Sequence, residues 1–168
     1  MSSKPKNTMQ DSVIESDIFR YATLLSDHIQ SNMNELLKIW GMTWLQYQAL
    51  KVIYDQDDEN KGLASKEIGV GLCTRVPDVT RLLDRLAEKG WVIRNRDNQN
   101  RRIVRTSLTS IGKALVVSVQ APLKELEEQQ FNHLDDTQKK ALSDLLKLAL
   151  NDETPYCKEK NKAKNSKK

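Results

Sequence analysis

Two short helices followed directly by a β-hairpin are predicted in the middle of the chain, and this order constrains the fold more than any other feature of the sequence. The first helix is predicted over residues 65–71, where a glycine ends it. Thr74 is predicted to cap the second helix, Pro77 to lie in its first turn and Gly90 to end it. The apolar residues of the second helix recur on one side: Val79, Leu82, Leu83 and Leu86. That side is expected to face the core.

The hairpin that follows is predicted from two short runs with β-branched residues. Residues 91–94 form the first strand, residues 97–100 a tight polar turn, and residues 103–108 the second strand. Helix, helix and hairpin in this order are typical of a winged helix-turn-helix, in which one helix enters the major groove of DNA and the hairpin reaches the neighbouring backbone or minor groove. The predicted fold class is therefore mainly α with a small β-hairpin wing.

Long amphipathic helices flank this unit on both sides. Their apolar residues recur at steps of three and four: Ile14, Ile18, Ala22, Leu25, Ile29, Met33, Leu36 and Trp40 near the start, and Ala141, Leu145, Leu148 and Ala149 near the end. One copy of these helices cannot cover both stripes, so we expect a dimer. The predicted organisation is a disordered N-terminus (1–10), dimerisation helices (11–40 and 110–151), a winged helix-turn-helix lobe (41–109) and a disordered basic tail (152–168).

Capping residues mark the ends of the flanking helices. Gly41 is predicted to close the first helix and Thr43 to cap the next. A long helix is predicted to follow the hairpin, with a kink at Pro122. Asp135 or Asp136 is predicted to cap the last helix.

Positive charge is concentrated in the middle of the chain. Residues 61–113 carry 12 basic and 5 acidic groups, whereas residues 1–60 carry 5 and 9. Eight of the nine arginines lie between Arg75 and Arg105. A solvated face usually mixes lysine with arginine and balances both with acids, whereas the planar guanidinium group suits phosphates and base edges. The pattern favours nucleic acid as the partner; the alternatives are a charged surface with no partner and an acidic protein partner.

Other classes of protein find little support. The two histidines are far apart, and the sequence has no glycine-rich phosphate loop, no nucleophile paired with a nearby base and no metal-ligand spacing, so we predict neither an enzyme nor a cofactor. The apolar runs are too short to span a membrane, and polar residues follow Met1 in place of a secretory signal. Cys73 and Cys157 form no disulfide framework, so the expected compartment is a reducing cytoplasm.

A specific motif runs through residues 80–112. Its matching residues, with the gaps between them, are Thr80-Arg81-Leu82-Leu83-Asp84-Arg85-Leu86, Gly90-Trp91-Val92, Asp97, Asn100-Arg101-Arg102, Leu108-Thr109 and Gly112. In both residues and spacing the chain resembles the MarR family of bacterial transcriptional regulators. The helical frame extends the likeness to about residues 12–151. The position of Pro77 and the arginine pair of the wing are most similar to the branch that includes the SlyA and RovA regulators.

The resemblance implies a homodimeric regulator, expected to be a repressor, that binds double-stranded DNA at a pseudo-palindromic operator and responds to a small molecule. The residues that it implies for DNA binding are Arg75, Pro77, Asp78, Thr80, Arg81, Arg85, Asn100, Arg101 and Arg102. In the family a pocket for small aromatic acids often lies between the dimer helices and the lobe. The residues expected near that pocket are His28, Trp44 and Tyr47.

Two positions depart from the family pattern. The wing motif usually has Asp, any residue, Arg, but here Asn100 takes the place of the acid before Arg102. An asparagine can still orient an arginine through a neutral hydrogen bond, although the ion pair is lost. Asp78 lies where a small polar residue is usual. It either reads the amino group of a cytosine or stabilises the N-terminus of the helix, and we favour the helix-end role.

Several of these residues also have a purely structural interpretation. Arg81 could pair with Asp78 or Asp84 rather than contact a base. His28, Trp44 and Tyr47 could simply pack at the junction or lie on the surface. Cys73 could sense oxidants or metals beside the second short helix, but a small buried residue is the favoured interpretation. The remaining arginines are expected to line or support the wing: Arg94, Arg96 and Arg105.

Overall fold

The computed structural model describes residues 8–57, 61–72, 76–97 and 100–150. Its elements follow the predicted order and include one strand that the sequence did not indicate. Their bounds are α1 Thr8–Leu37, a 3₁₀ turn Lys38–Trp40, α2 Trp44–Gln56, β1 Leu63–Ala64, α3 Ser65–Gly71, α4 Val79–Glu88, β2 Val92–Arg96, β3 Val104–Leu108, α5 Ser110–Gln130 and α6 Asp136–Leu150. The predictions for residues 1–7, Cys73, Arg75, the middle of the hairpin turn and the basic tail fall outside the described residues.

Helix α1 begins earlier and ends differently from the prediction. It starts at Thr8, so three residues of the segment expected to be disordered are helical. The last turn, Lys38–Trp40, has 3₁₀ geometry and ends at Gly41, as expected. Gly41 has a φ of 62°, in the left-handed region, and its N–H donates to the carbonyl of Lys38 at 2.9 Å. The glycine therefore ends the helix and lets the chain turn into α2.

Thr43 caps helix α2, as predicted, and the structure shows that it does so through a capping box. The Thr43 hydroxyl accepts from the backbone N–H of Gln46 at 3.3 Å, and the Gln46 side chain accepts from the backbone N–H of Thr43 at 3.1 Å. Asn34 of α1 adds a link, because its side-chain oxygen accepts from the backbone N–H of Trp44 at 2.8 Å. These bonds fix the start of α2 against α1.

The predicted hairpin is present, and β3 lies at the centre of a three-stranded antiparallel sheet. Its register pairs Val92 with Leu108 at the base and Arg96 with Val104 near the turn. We call this hairpin, residues 92–108, the wing.

The strand that the sequence did not indicate is β1, on the other side of β3. It pairs Leu63 with Thr106. Two residues are too few for any alternation of polar and apolar residues, so the sequence carries no signal for this strand. The approach is close at Gly62, which has a φ of 75° and where a Cβ atom would lie 2.7 Å from the hydroxyl oxygen of Ser107.

One core cluster joins the helices to the sheet. Its largest fully buried apolar side chains are Leu37, Leu50, Ile53, Ile68, Leu83, Leu86, Val116 and Val119. Trp91 is buried in this cluster and Trp40 packs against it. The helices of the lobe are therefore held by shared burial, which fixes the direction in which their exposed faces point.

Thr109 joins the wing to α5. Its hydroxyl accepts from the backbone N–H of Gly112 at 3.0 Å and donates to the carbonyl of Gly90 at 2.8 Å. The cap of α5 thus also holds the turn before β2. Helix α5 then continues through Pro122 to Gln130.

The first and last helices, α1 and α6, expose large apolar side chains. Asp135 caps α6 by accepting from the backbone N–H of Gln138 at 2.8 Å, and no residue of α6 is buried. The large exposed apolar residues of these helices are Val13, Ile14, Ile18, Phe19, Tyr21 and Leu24 in α1 and Leu145, Leu146, Leu148 and Leu150 in α6. Within the described ranges, no helix is both long and apolar enough to cross a membrane.

Candidate nucleic-acid interface

Helix α4 has one face of leucines and one face of charged residues. Leu82, Leu83 and Leu86 are buried in the core, which fixes the rotation of the helix about its axis. The exposed residues are Thr80, Arg81, Asp84, Arg85 and Glu88. Positions three and four apart lie on the same side of a helix. Arg81 and Arg85 are therefore neighbours on the outer face of the lobe.

The start of α4 differs from the prediction. The helix begins at Val79, so Pro77 precedes it rather than lying in its first turn, and the N-cap is Asp78 rather than Thr74. The Asp78 carboxylate accepts from the backbone N–H of Arg81 at 2.9 Å. A side-chain acceptor directly before the helix satisfies one of its unpaired donors, which explains why the helix starts here. The helix-end role favoured for Asp78 is confirmed.

The Arg81 guanidinium group makes no hydrogen bond or ion pair with any residue that the structure describes. Both carboxylates proposed as its partners are engaged elsewhere: Asp78 accepts from a backbone N–H, and Asp84 pairs with Arg94. Arg85, one turn further along the helix, is likewise exposed and unpaired among the described residues. These two arginines thus have donors available for a ligand.

Arg94 connects the wing to α4. Its guanidinium group donates to the Asp84 carboxylate and lies 3.5 Å from the carbonyl oxygen of Thr80. The Arg94 side chain is only 15% exposed. Arg94 therefore supports the structure, one of the two roles expected for it, and holds strand β2 beside the exposed face of α4.

Local hydrogen bonds shape the tip of the wing. The backbone N–H of Asp97 donates to the carbonyl of Ile103 at 2.9 Å, and the N–H of Ile103 donates to the carbonyl of Asn100 at 2.8 Å. The side-chain oxygen of Asn100 accepts from the backbone N–H of Arg102 at 3.1 Å. Asn100 thus holds the backbone of Arg102 through a neutral hydrogen bond, rather than its guanidinium group.

The arginines of the lobe fall into two groups. Arg94 and Arg105 are partly buried and paired with Asp84 and Asp97. The hydrogen bond with Asp97, together with nearby carboxylates, raises the pKa of Arg105 above its ordinary value. The second group is exposed and makes no ion pair within the described ranges: Arg81, Arg85, Arg96, Arg101 and Arg102. Its positive charge is therefore available to an anionic partner.

The structure brings two of the three expected effector residues together. The rings of Trp44 and Tyr47 stack with centroids 5.7 Å apart, and Tyr47 is buried. Burial, with a smaller contribution from nearby carboxylates, raises the pKa of Tyr47 to about 12. His28 is exposed on α1 and lies 3.2 Å from the side-chain nitrogen of Asn32. The packing interpretation of Trp44 and Tyr47 thus agrees with the structure.

The middle of the chain matches a known protein family, and most of the chain is similar to known regulators. A family model, MarR family, matches residues 42–104, from α2 to the start of β3. The transcriptional repressor MprA of Escherichia coli is 28% identical over 132 residues, which cover 76% of this chain and 74% of MprA. The HTH-type transcriptional regulator SarZ of Staphylococcus epidermidis is 32% identical over 113 residues, which cover 67% of this chain and 71% of SarZ.

Solved structures agree with the sequence relatives. The crystal structure of a mutant MarR from E. coli complexed with operator DNA matches with a TM-score of 0.71 and 25% identity, over 80% of this chain and 94% of that one. The fold, the match at α2 to β3 and the relatives all point to a DNA-binding regulator rather than an enzyme. The chain is a transcriptional regulator that belongs to the MarR family.

Proposed function

We propose that this regulator acts as a cytoplasmic homodimer that binds double-stranded DNA at a pseudo-palindromic operator, represses transcription there and changes its DNA affinity when a small molecule binds. Each subunit places α4 in one major groove, and the half-sites lie about one helical turn, roughly 10 base pairs, apart. MprA, which is named a repressor, and the MarR mutant complexed with operator DNA support this proposal.

The observation that carries the proposal is the division of the arginines. The partly buried Arg94 and Arg105 pair with Asp84 and Asp97, whereas Arg81 and Arg85 on α4 and Arg102 on the wing are exposed. If these arginines lay only in solvent, nothing would favour acidic partners for the partly buried arginines and none for the exposed ones. A polyanion that contacts both a helix and a hairpin explains that arrangement.

Binding to genomic fragments tests the proposal directly. The purified protein is mixed with fragmented genomic DNA, and the retained duplexes are sequenced and then titrated at several salt concentrations. We expect a small set of retained sites and an affinity that falls steeply with salt, because each phosphate contact releases counterions. Retention of no duplex, or equal retention of all duplexes, would contradict a sequence-specific regulator.

Arg102→Ala is expected to weaken binding to the retained duplex at least tenfold and to make the salt slope shallower by about one unit, since one phosphate-equivalent contact is lost. A narrow minor groove concentrates negative potential and attracts an inserted arginine, which is the role proposed for this residue. The measurement is a salt titration of duplex binding for the variant and the parent.

A matched control for this experiment is Arg20→Ala. Arg20 is an exposed arginine of α1, far from the lobe in sequence and paired with Asp17 at 2.9 Å. Both substitutions remove one positive charge, but only Arg102 belongs to the wing. If Arg102→Ala binds as tightly as Arg20→Ala with the same salt slope, the hairpin does not contact DNA in this protein.

The proposed dimer rests on the apolar faces of α1 and α6. The N-terminal half of α1 and the C-terminal end of α6 expose large apolar side chains, whereas Met33 and Leu37 near the end of α1 are buried in the core. Large apolar side chains clustered along a helix are costly to leave in water and are typical of an interface. A second copy of the same two helices provides a complementary apolar surface under two-fold symmetry.

We expect light scattering at micromolar concentration to report twice the 19.3 kDa of one chain. Leu148→Glu should shift the protein towards the monomer, because Leu148 is 76% exposed on the proposed interface of α6. Ile39→Glu is the control, since Ile39 is 79% exposed but lies in the 3₁₀ turn outside both faces. A parent protein that is monomeric, or two variants with the same mass, would contradict this dimer.

The proposed effector site lies along α2. Trp44 and Tyr47 form a stacked pair, and the side-chain oxygen of Gln48, one turn from Trp44, is buried and accepts no hydrogen bond from any described residue. An aromatic acid that carries a phenolic hydroxyl offers a ring for stacking and a donor for the Gln48 oxygen. His28 on α1 is the third proposed contact. The protein–duplex complex is titrated with 4-hydroxybenzoate and salicylate, with benzoate as the matched acid that lacks the donor. If none of these acids releases the duplex, the effector is removed from the proposal.

A further inference from the structure

A series of side-chain contacts runs from α3 to the tip of the wing. Arg105 on β3 donates from Nε to the carboxylate of Asp97, which lies where β2 ends. Its Nη1 atom donates to the carbonyl of Gly62 at 3.1 Å and lies 3.9 Å from the carboxylate of Glu67 on α3. That Glu67 oxygen also accepts from the backbone N–H of Ala64 at 2.6 Å. Arg105 is thus fixed by α3, by the loop before β1 and by the wing.

The same Asp97 carboxylate also shapes the turn. Its Oδ1 atom accepts from the backbone N–H of Asn100 at 2.9 Å, while Oδ2 binds Arg105. Asn100 in turn holds the backbone N–H of Arg102. The Asp97 side chain is only 14% exposed, so this carboxylate lies largely inside the hairpin. One acid therefore connects Arg105 to the backbone that carries Arg102.

The pairing of Asp97 with Arg105 explains how the wing is stabilised although Asn100 replaces the usual acid of the family motif. The acid usual in the wing motif is absent there, but Asp97 supplies a carboxylate three residues earlier. It pairs with Arg105 instead of Arg102. The guanidinium group of Arg102 stays exposed and makes no ion pair within the described ranges. The acid–arginine pair of the wing therefore stabilises the hairpin, and the guanidinium group of Arg102 remains available for a ligand.

We infer that Asp97 and Arg105 are positioning residues that set the place of Arg102 for DNA contact, an inference that rests on the proposed function. Arg105 does not itself bind phosphate, because its donors face Asp97, Gly62 and Glu67 and its side chain is 34% exposed. Asp97 repels no phosphate, because Arg105 neutralises it. Both residues act through the backbone of the turn.

Asp97→Asn tests the inference, because a positioning role and a purely electrostatic role predict opposite changes in DNA affinity. Removing an acid near DNA strengthens binding if charge alone matters. If Asp97 positions the wing, the variant should instead bind the retained duplex about fivefold more weakly, which is the effect of losing one partly exposed ion pair. Glu88→Gln is the control, since Glu88 is an exposed acid at the end of α4 that forms no ion pair with the described residues. It should bind as tightly as the parent or more tightly.

A double-mutant cycle separates positioning from direct contact. Arg105→Gln, Arg102→Ala and the double variant are compared on the same duplex. If Arg105 acts through Arg102, its loss in the Arg102→Ala background should have less than a twofold effect. If Arg105 binds phosphate itself, the fold-losses of affinity in the two single variants multiply in the double variant, and its salt slope is shallower by about one further unit. That result would overturn the inference. Arg105→Lys keeps the charge but not the planar fork, so it should also weaken binding and serves if Asp97→Asn does not fold.

Hydrogen exchange on the DNA-free protein supplies an independent measurement. The backbone amides of Asn100 and Arg102 should exchange faster in Asp97→Ala, which removes the acceptor, than in the parent or in Glu88→Gln, because the carboxylate holds the turn. If the parent binds duplex DNA but Asp97→Asn binds equally or more tightly, or the amides of Asp97→Ala exchange as in the parent, the inference fails and DNA binding stands. If the parent retains no duplex, the proposed function fails, and the inference with it.

Discussion

Gly112→Ala is expected to destabilise the protein by about 3 kcal/mol, near the upper end of the cost of overpacking a well-packed site. A Cβ atom at position 112 would lie 2.1 Å from the carbonyl oxygen of Trp91 and 3.3 Å from Leu108. The carbonyl cannot simply move away, because it accepts from the backbone N–H of Thr109 at 3.1 Å at the junction of wing and α5. Thermal or urea unfolding measures the change.

The sign of this effect distinguishes packing from helix propensity. Alanine is favoured over glycine in a helix by about 1 kcal/mol, so propensity alone predicts that Gly112→Ala stabilises α5. Gly69→Ala is the control: it lies in α3, and its Cβ atom would meet only a methyl group of Val79 at 3.1 Å. We expect that variant to change the free energy of unfolding by less than about 1 kcal/mol. Equal stability of the two variants would contradict the close approach at Gly112.

Local signals explain why much of the fold could be predicted from the sequence. A cap is a contact between residues that are close in the chain, so Gly41, Thr43 and Thr109 mark helix ends in the sequence itself. The apolar spacing of the long helices likewise needs no tertiary information. The start of α4 was placed wrongly because Thr74 and Asp78 are both good capping residues, and the choice between them depends on how the leucines reach the core.

The roles of the arginines required the structure. Arg94 and Asp84 are ten residues apart and meet only because β2 folds beside α4. Arg105 and Asp97 meet only across the hairpin. In the sequence these arginines look the same as Arg81, since all belong to one basic segment. The clustering of arginines in the sequence is enough to predict a nucleic-acid interface in this segment. Which arginines remain unpaired depends on ion pairs between different helices and strands, and these are visible only in the structure.

Arg81→Ala is expected to lower the discrimination between the retained duplex and a scrambled duplex by about 1–3 kcal/mol, about 5- to 150-fold, if Arg81 makes a bidentate contact with a base. The structure favours such a contact. Arg81 lies in the first turn of an exposed helix, its backbone N–H is fixed by Asp78, and its guanidinium group is unpaired among the described residues. The measurement is the ratio of the two dissociation constants at one salt concentration.

Arg81→Lys separates base reading from charge. Lysine keeps the positive charge of Arg81 but lacks the planar fork that donates two parallel hydrogen bonds to a guanine. We therefore expect this variant to bind scrambled DNA as the parent does while losing most of the discrimination. If Arg81 contacts only phosphate, Arg81→Ala should instead weaken binding to both duplexes equally, with a salt slope shallower by about one unit, and Arg81→Lys should restore both affinities. An unchanged ratio in Arg81→Ala would therefore remove Arg81 from sequence recognition and leave specificity to the other residues of α4 and the wing.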